Sequence, residues 1–458
     1  MVNPYIFREY DIRGVAEQDF PGAITYTLGK TFGTNFRRNN IQRVVVGRDC
    51  RLSSPRLRQA LSEGLLDTGC DVIDLGIIPT PLLYFALFNL EVDGGVMITG
   101  SHNPPDNNGF KVCVGKGTIF GEEIQNLRKL FEKGDFESGK GTLESQDIRA
   151  QYLKTVSAFL KMGKQKRKVI IDSGNGTAGI AAGPLYRSLG IEVDELFSEM
   201  DGTFPNHHPD PTVPANLTSL ISEIKGQKAD LGIAFDGDAD RIGVVDEQGN
   251  IIWGDQLMIL FSRAILAEIP GATFVAEVKC SQTLFDDIRK HGGKVIMWKV
   301  GHSLMKAKLK EEKAQLAGEM SGHIFFAHRY YGYDDALYAG ARLLEILSKT
   351  EKKLSDLLAD VPITIVTPEI RTECGDEIKF LVVQKLVEKF KKDYHVIDVD
   401  GARILFDSGW GLVRASNTQP AIVLRFEAAD EKNLEYIKMI VEKRLAESIA
   451  EVHPVRKI

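Results

Sequence analysis

The sequence predicts an α/β chain of four domains. Three are related mixed α/β units built on strand–helix–strand segments, and the fourth is a C-terminal α+β unit. Three observations lead there. A short apolar strand, a polar loop, a helical stretch, a glycine and a second strand recur three times. The first strand of each copy is an unbroken apolar run, as in strands covered on both faces. Residues 363–458 lack the repeat and carry hairpin signals instead.

The first copy runs from Val44-Val45-Val46 through a helix near 54–68 to Gly69 and Val72-Ile73. The second runs from Val169-Ile170-Ile171-Asp172 through a helix near 178–189 to Gly190 and Ile191-Glu192-Val193. The third runs from Phe274-Val275-Ala276-Glu277-Val278 through a helix near 282–290 to Gly292-Gly293 and Val295-Ile296. A glycine at each helix end suits a left-handed stop, and a strand–helix–strand unit implies parallel strands. The C-terminal unit reads as a strand at Pro362–Val366, a helix near 376–392 and a hairpin at Ile397–Phe406 around Asp400-Gly401. A strand at Ala421–Phe426 and a closing helix near 430–450 complete it. The expected domains are 1–147, 148–250, 251–362 and 363–458. The basic stretch Lys161–Lys168 reads as a solvated approach to the second domain.

Composition narrows the function. In 458 residues, 57 Lys+Arg stand against 63 Asp+Glu, and a net charge of −6 disfavours a nucleic-acid binder. A 43% hydrophobic content with 26% charge excludes a mainly disordered chain. No apolar run is long enough to span a membrane, and the first residues do not form a signal peptide. Five scattered cysteines without a CxxC pair argue against structural zinc and a disulfide framework. These features point to a reducing cytoplasm.

Four polar loops carry chemistry. Thr99–Lys111 (TGSHNPPDNNGFK) follows the strand Gly95–Ile98, and its prolines and glycines hold Ser101 on an irregular loop beside His102, with Lys111 ten residues on. Read alone, it is equally a capped structural turn. Asp236-Gly237-Asp238-Ala239-Asp240-Arg241 sits between two apolar strands. Three carboxylates at alternate positions repel unless a cation lies among them, and hard oxygen ligands suit Mg²⁺, Mn²⁺ or Ca²⁺. An EF-hand is disfavoured because its sixth position requires glycine and holds Arg241. Gly318-Glu319-Met320-Ser321-Gly322-His323 offers Glu319 and Ser321 to sugar hydroxyls. Gly411–Pro420 offers Arg414, Ser416, Asn417 and Thr418 as a phosphate cradle, although alone it reads equally as a polar hairpin. Gly174-Asn175-Gly176-Thr177-Ala178-Gly179 matches a dinucleotide fingerprint, but hydride transfer gives no reason for the three carboxylates.

Together the segments TGSHNPPDNNGFK, DGDADR, GEMSGH and RASNTQP, one per domain and in this order, resemble those of the α-D-phosphohexomutase superfamily. So does the opening Phe7–Gly14. The similarity is to its bacterial phosphomannomutase/phosphoglucomutase branch, with Ala239 where many relatives have glycine. The resemblance implies an active-site cleft between the four domains and a reversible phosphoryl shift between the 1- and 6-positions of mannose and glucose phosphates. Ser101 would carry the phosphoryl group and pass it to the substrate. The resulting bound 1,6-bisphosphate would turn end for end.

The same resemblance assigns Asp236, Asp238, Asp240 and Ser101 to one Mg²⁺. It assigns Tyr10, Lys279, Glu319, Ser321, Arg414, Ser416, Asn417 and Thr418 to the substrate. It places Arg13, His102, Lys111, Arg241, His302 and His323 around the reacting centre, with Lys111 or a histidine as proton carrier. It implies glucose 1,6-bisphosphate or mannose 1,6-bisphosphate as activator, hexose phosphates as the partners, and a monomer or a dimer. The alternatives are a phosphoglucosamine mutase and a non-catalytic sugar-phosphate binder. A fourth domain that closes over the substrate is also expected.

Overall fold

In a computed structural model, which describes residues 2–417 and 420–452, four sheets follow one another along the chain. In the first, Arg43–Arg48 lies parallel to both Asp71–Ile77 and Gly94–Ile98. In the second, Lys168–Asp172 lies parallel to Glu192–Leu196 and Leu231–Phe235. In the third, Thr273–Glu277 lies parallel to Lys294–Trp298 and Leu316–Gly318. The apolar runs Val44–Val46, Val169–Ile171 and Phe274–Ala276 are fully buried, which is why these strands sit in the interior of their sheets.

Each repeat then ends in an antiparallel hairpin that the repeat pattern alone does not announce. Gly94–Ile98 pairs with Asn107–Val114, Leu231–Phe235 with Ile242–Asp246, and Leu316–Gly318 with Ile324–Phe326. The C-terminal sheet is antiparallel throughout, and its central hairpin joins Gly409–Ala415 to Ala421–Ala428. The four chemistry-bearing loops are the tips of these four hairpins.

The predicted helices are found at Ser54–Leu66 and Gln282–Lys290, and the stops Gly69, Gly190 and Gly292 all have φ near +80°. The expected helix near 178–189 is divided into a 3₁₀ turn, Thr177–Ile180, and a helix, Ala182–Ser188. Pro184 is the reason. In a continuous helix its ring would meet the carbonyl four residues earlier, whereas in a first turn its missing N–H is not needed. The expected strand at 362–366 shortens to Ile365–Val366, and the strands Ile370–Glu373 and Gly409–Ala415 were not anticipated. Asn107–Lys111 is already strand, so Lys111 is held by a sheet and not by a loop.

Packing divides the chain unequally. One continuous core runs from Val45 and Phe85 through Tyr152, Ile171 and Phe235 to Phe274 and Tyr338, so the first three domains share an interior. The C-terminal unit has its own core around Val382, Leu386, Phe426 and Ile437. It meets the third domain at a small cluster of Val278, Trp410 and Leu412. There the buried Arg403 guanidinium lies 3.8 Å from the Trp410 ring centre and donates to the Val278 and Cys280 carbonyls at 2.6 and 2.8 Å. All five cysteines are free thiols. Among the described residues no helix is long and apolar enough to cross a membrane.

The helix Ala336–Ser348 is buried along almost its whole length and anchors the shared core. Tyr186 crosses it at Gly340, where an added Cβ would lie 2.1 Å from the tyrosine oxygen that donates to the Leu337 carbonyl. Gly340→Ala is therefore expected to destabilise the protein by about 1–3 kcal/mol, as overpacking does. Thermal and denaturant unfolding check this, and a wild-type midpoint would contradict the packing.

Candidate active site

The hairpin tips of the first three domains converge on a few buried atoms. Ser101 has φ +49° and is 3% exposed. Its Oγ donates to Asp236 Oδ2 at 2.7 Å and lies 3.1 Å from His102 Nδ1. Its unusual backbone is over-determined by an ion pair that sequence reading missed. Arg51, fully buried, pairs with Asp49 at 3.1 Å. It also donates to the carbonyls of Ser101 (2.7 Å), Asn103 (2.6 Å), Asn107 (3.0 Å) and Pro104. Asp49 in turn accepts from the Gly100 N–H at 3.0 Å and from the Ser54 hydroxyl. All five guanidinium donors are engaged, four of them on carbonyls of the Ser101 loop and Nε on Asp49, a use that suits arginine's fixed fork. The available signal was a charged pair directly after an apolar strand, in Gly47-Arg48-Asp49-Cys50-Arg51.

Asp236, Asp238 and Asp240 are all fully buried. Asp236 Oδ1 accepts the N–H groups of Asp240 and Arg241 at 3.0 and 3.1 Å. Asp238 Oδ2 accepts from Thr80 Oγ1 at 2.5 Å and from Lys111 Nζ at 2.9 Å, and Lys111 also pairs with Asp240. Burial, with Asp240 and Asp238 adding repulsion, pushes the Asp236 carboxyl well above the usual carboxylate range. Burial acts on Asp238 in the same sense but is outweighed by Lys111 and Thr80, so its pKa falls. Lys111 loses solvation too, yet Asp238 and Asp240 hold its ammonium more firmly charged than in water.

Two carboxylate oxygens in this nest, Asp238 Oδ1 and Asp240 Oδ1, are buried without a hydrogen-bond partner. The three carboxylates present ligand atoms within 4.8 Å of one another. Unpaired buried carboxylate oxygens in such a cluster fit a hard divalent cation. The sequence-derived ligand set therefore meets the requirement that chemistry places on it.

Above the nest lies a cleft of about 820 Å³. It is lined by Ser101 together with Arg13, His102, Lys111, Arg241, His302 and His323, and by Tyr10, Lys279, Glu319 and Ser321. Arg13 pairs with Asp11 at 2.5 Å and donates to Asn103 Oδ1 at 3.1 Å. Arg241 Nε donates to His323 Nε2 at 2.9 Å, so that nitrogen is bare and the ring proton sits on Nδ1, 3.1 Å from Asp334 Oδ2. The His302 ring stacks on His323 at 5.7 Å. Burial lowers the pKa of His102, with Arg241 and Arg13 adding repulsion, and burial with nearby Lys306 does the same for His302. Both are neutral imidazoles. Glu319 accepts from the Gly301 N–H at 3.0 Å and from the Ser321 hydroxyl at 3.2 Å. Gly322, at φ +95°, lets this loop touch the Ile242 carbonyl of the second domain, which a Cβ would meet at 2.3 Å.

The C-terminal unit lines the cleft through Thr367, Glu369, Arg371 and Arg425, whereas Arg414, Ser416 and Asn417 of its central hairpin do not line it and approach it only through Tyr10. Asn417 Nδ2 donates to the Tyr10 hydroxyl at 2.7 Å, and that hydroxyl donates to the Val300 carbonyl at 2.7 Å. Arg414 ends its strand with Nε on Asp400 Oδ2 at 3.0 Å, and the Ser416 N–H closes the hairpin on the Ala421 carbonyl at 2.9 Å. Thr418 lies outside the described residues. The dinucleotide-like segment at 174–179 serves packing, since a Cβ at Gly176 would lie 2.7 Å from the Gly237 carbonyl.

Four linked α/β units around a cleft, with a buried serine against a carboxylate nest, define an α-D-phosphohexomutase. The chain belongs to the phosphoglucomutase/phosphomannomutase family, whose alpha/beta/alpha domains I, II and III match residues 4–138, 150–249 and 253–364 and whose C-terminal domain matches 369–444. It is 47% identical over 441 residues to the phosphomannomutase/phosphoglucomutase of Pseudomonas aeruginosa, covering 96% of this chain and 95% of that one. It is 45% identical over 438 residues to a phosphoglucomutase of Neisseria meningitidis, covering 94% and 95%. The crystal structure of a phosphoglucomutase/phosphomannomutase family protein from Burkholderia thailandensis superposes with a TM-score of 0.92 at 43% identity, covering 98% of both chains.

Removing Lys111 leaves the buried carboxylates Asp238 and Asp240 without their ion-pair partner. Lys111→Met is expected to cost about 3–5 kcal/mol without divalent cation, as breaking a buried ion pair does. Added Mg²⁺ should recover more Tm in this variant than in the wild type. Calorimetric scans with and without the cation measure it, and equal shifts in the two proteins would refute the account.

Proposed function

We propose that the protein interconverts hexose 1-phosphates and hexose 6-phosphates of mannose and glucose through a phosphorylated Ser101. The domains 1–147, 148–250, 251–362 and 363–458 each supply one loop. The observation that carries the reading is the Ser101 hydroxyl, 2.7 Å from Asp236 at the edge of a nest with two unpaired carboxylate oxygens.

Phosphoryl transfer asks a protein mainly for positioning and charge neutralisation. Asp236, Asp238, Asp240 and a Ser101 oxygen would hold Mg²⁺, which offsets phosphate charge and polarises the bridging oxygen. Arg13 and Arg241 supply further fixed positive charge at the cleft wall. As the phosphoryl group leaves Ser101 Oγ for a sugar hydroxyl, that hydroxyl loses a proton and Ser101 Oγ gains one. On the return step Ser101 Oγ gives up its proton as it takes the second phosphoryl group, and the sugar oxygen left behind gains one. Lys111 is committed to Asp238 and Asp240, which leaves the imidazoles of His102, His302 and His323 as proton carriers. His102 is the nearest to Oγ. Arg414, Ser416, Asn417 and Thr418 would clamp the phosphate that is not reacting, with Tyr10 and Lys279 beside them. The 1,6-bisphosphates of glucose and mannose would act as activators by phosphorylating Ser101. A cytoplasmic setting fits the free thiols.

A bisphosphate that turns over must offer the same contacts both ways round. A half turn roughly exchanges the 3- and 4-hydroxyls, so Glu319 and Ser321 can serve both orientations. Carbon 2, where mannose and glucose differ, is then not read. A mutase assay with Mg²⁺ and a trace of glucose 1,6-bisphosphate, run on mannose, glucose and glucosamine phosphates, is expected to give comparable kcat/KM for the first two. A preference beyond about a thousand-fold (~4 kcal/mol) would overturn dual use. Ser101→Ala should abolish turnover and the phosphate-sized mass increment. Turnover that survives would sink the mechanism.

The C-terminal unit has a separate core, and its phosphate loop must reach a ligand held by the other three. It is expected to close on binding. Solution scattering with a bound bisphosphate sugar should show a smaller radius of gyration, and an unchanged radius would refute closure.

A further inference from the structure

One cation in the cleft is already held by two carboxylates. Lys279 lies two residues beyond the strand Thr273–Glu277, and its side chain is 8% exposed. Its Nζ stands 3.6 Å from Glu277 Oε1 and donates to Glu369 Oε1 at 2.8 Å. The two carboxylates differ in how they are held. Glu277 is fully buried at its strand's end and accepts the Met320 N–H at 2.9 Å, so it belongs permanently to the third domain. Glu369 is 21% exposed. It lies between Ile365–Val366 and Ile370–Glu373, two short strands that pair only with Ala421–Ala428 of the C-terminal sheet. It therefore reaches Lys279 from the other domain. Lys279 pulls the Glu369 carboxyl down to about 2 against the opposing effect of burial.

The Lys279 ammonium is thus occupied by two carboxylates, and Glu369 Oε2 also accepts from Arg371 Nη2 at 3.3 Å, so the cluster carries no surplus negative charge. With Glu369 withdrawn, Lys279 keeps only Glu277 and has a donor to offer an anion. Glu277 cannot withdraw without stranding the Met320 N–H. We propose that Glu369 is an internal stand-in for a substrate phosphate, holding Lys279 in the unliganded protein and giving it up when a hexose phosphate arrives. The proposal rests on the hexose-phosphate reading of the cleft. It makes Glu369 a positioning residue that sets substrate affinity through Lys279. It also ties displacement of this carboxylate to movement of the segment that joins the third and fourth domains.

The test is titration calorimetry with glucose 1-phosphate and with inorganic phosphate, alongside steady-state kinetics. Glu369→Gln keeps the shape and removes the charge, and Glu369→Ala removes both. Each is expected to bind either ligand about tenfold tighter and to lower KM in proportion without raising kcat, whereas Glu369→Asp should stay near wild type. In a Lys279→Met background, Glu369→Gln should change affinity by less than twofold. A merely structural brace predicts the opposite sign, with weaker binding and a raised KM. Unchanged or weaker binding by both charge-removing variants, with the wild type binding normally, overturns the proposal alone. A wild type that binds no hexose phosphate overturns the reading of the cleft and this proposal with it.

Discussion

Three carboxylates within five residues of chain, all fully buried, set the terms for the rest of the molecule. Isolated buried charges are too costly to persist. Asp236, Asp238 and Asp240 are therefore met by Lys111 from the first domain, Thr80 from the helix that follows Asp71–Ile77, and backbone N–H groups of their own turn. The partners come from two domains, so that nest can exist only where the domains are already packed together. This fits the interior that the first two domains share, which continues into the third. The Asp49–Arg51 pair extends the same logic one step outward, because it holds the loop that brings Ser101 to Asp236.

Much of this was legible in the sequence, for identifiable reasons. Val44–Val46, Val169–Ile171 and Phe274–Ala276 are apolar without interruption because both faces are covered, and that pattern needs no alignment to read. The alternating aspartates announced a cation because their repulsion has few other remedies. Less legible were features whose partners lie far along the chain. Arg51 and Thr80 are ordinary residues until the fold sets them against carbonyls 50 to 56 residues away and against a carboxylate 158 residues away. Gly409–Ala415 was read in part as loop because two glycines weaken its strand pattern, although pairing with Ala402–Phe406 on one side and Ala421–Ala428 on the other holds it in the sheet interior. The helix near 178–189 failed at Pro184, where local chemistry overrode the repeat.

The contrast between one shared interior and one separate one also bears on how the protein works. The first three domains hold Ser101 and the carboxylate nest as a single body, and the fourth joins them through a narrow contact at Trp410 and Arg403. Precision is needed at the first and compliance at the second. The ionic contacts bridging them are few, and Glu369 to Lys279 is one in which the bridging group competes with substrate chemistry.

All four functional loops are hairpin tips and not crossover connections. A crossover loop carries the chain over the sheet, so altering it disturbs the packing of a helix on both neighbouring strands. A hairpin tip returns the chain at once to the strand it left, and the closure entropy of a longer tip grows only with the logarithm of its length. Changes of length at 99–106, 236–241 or 319–323 therefore leave the register of the parallel strands untouched, although the buried groups on these tips are bound to neighbouring domains. The scaffold thus separates the stretches of chain that set strand order from the stretches that line the cleft.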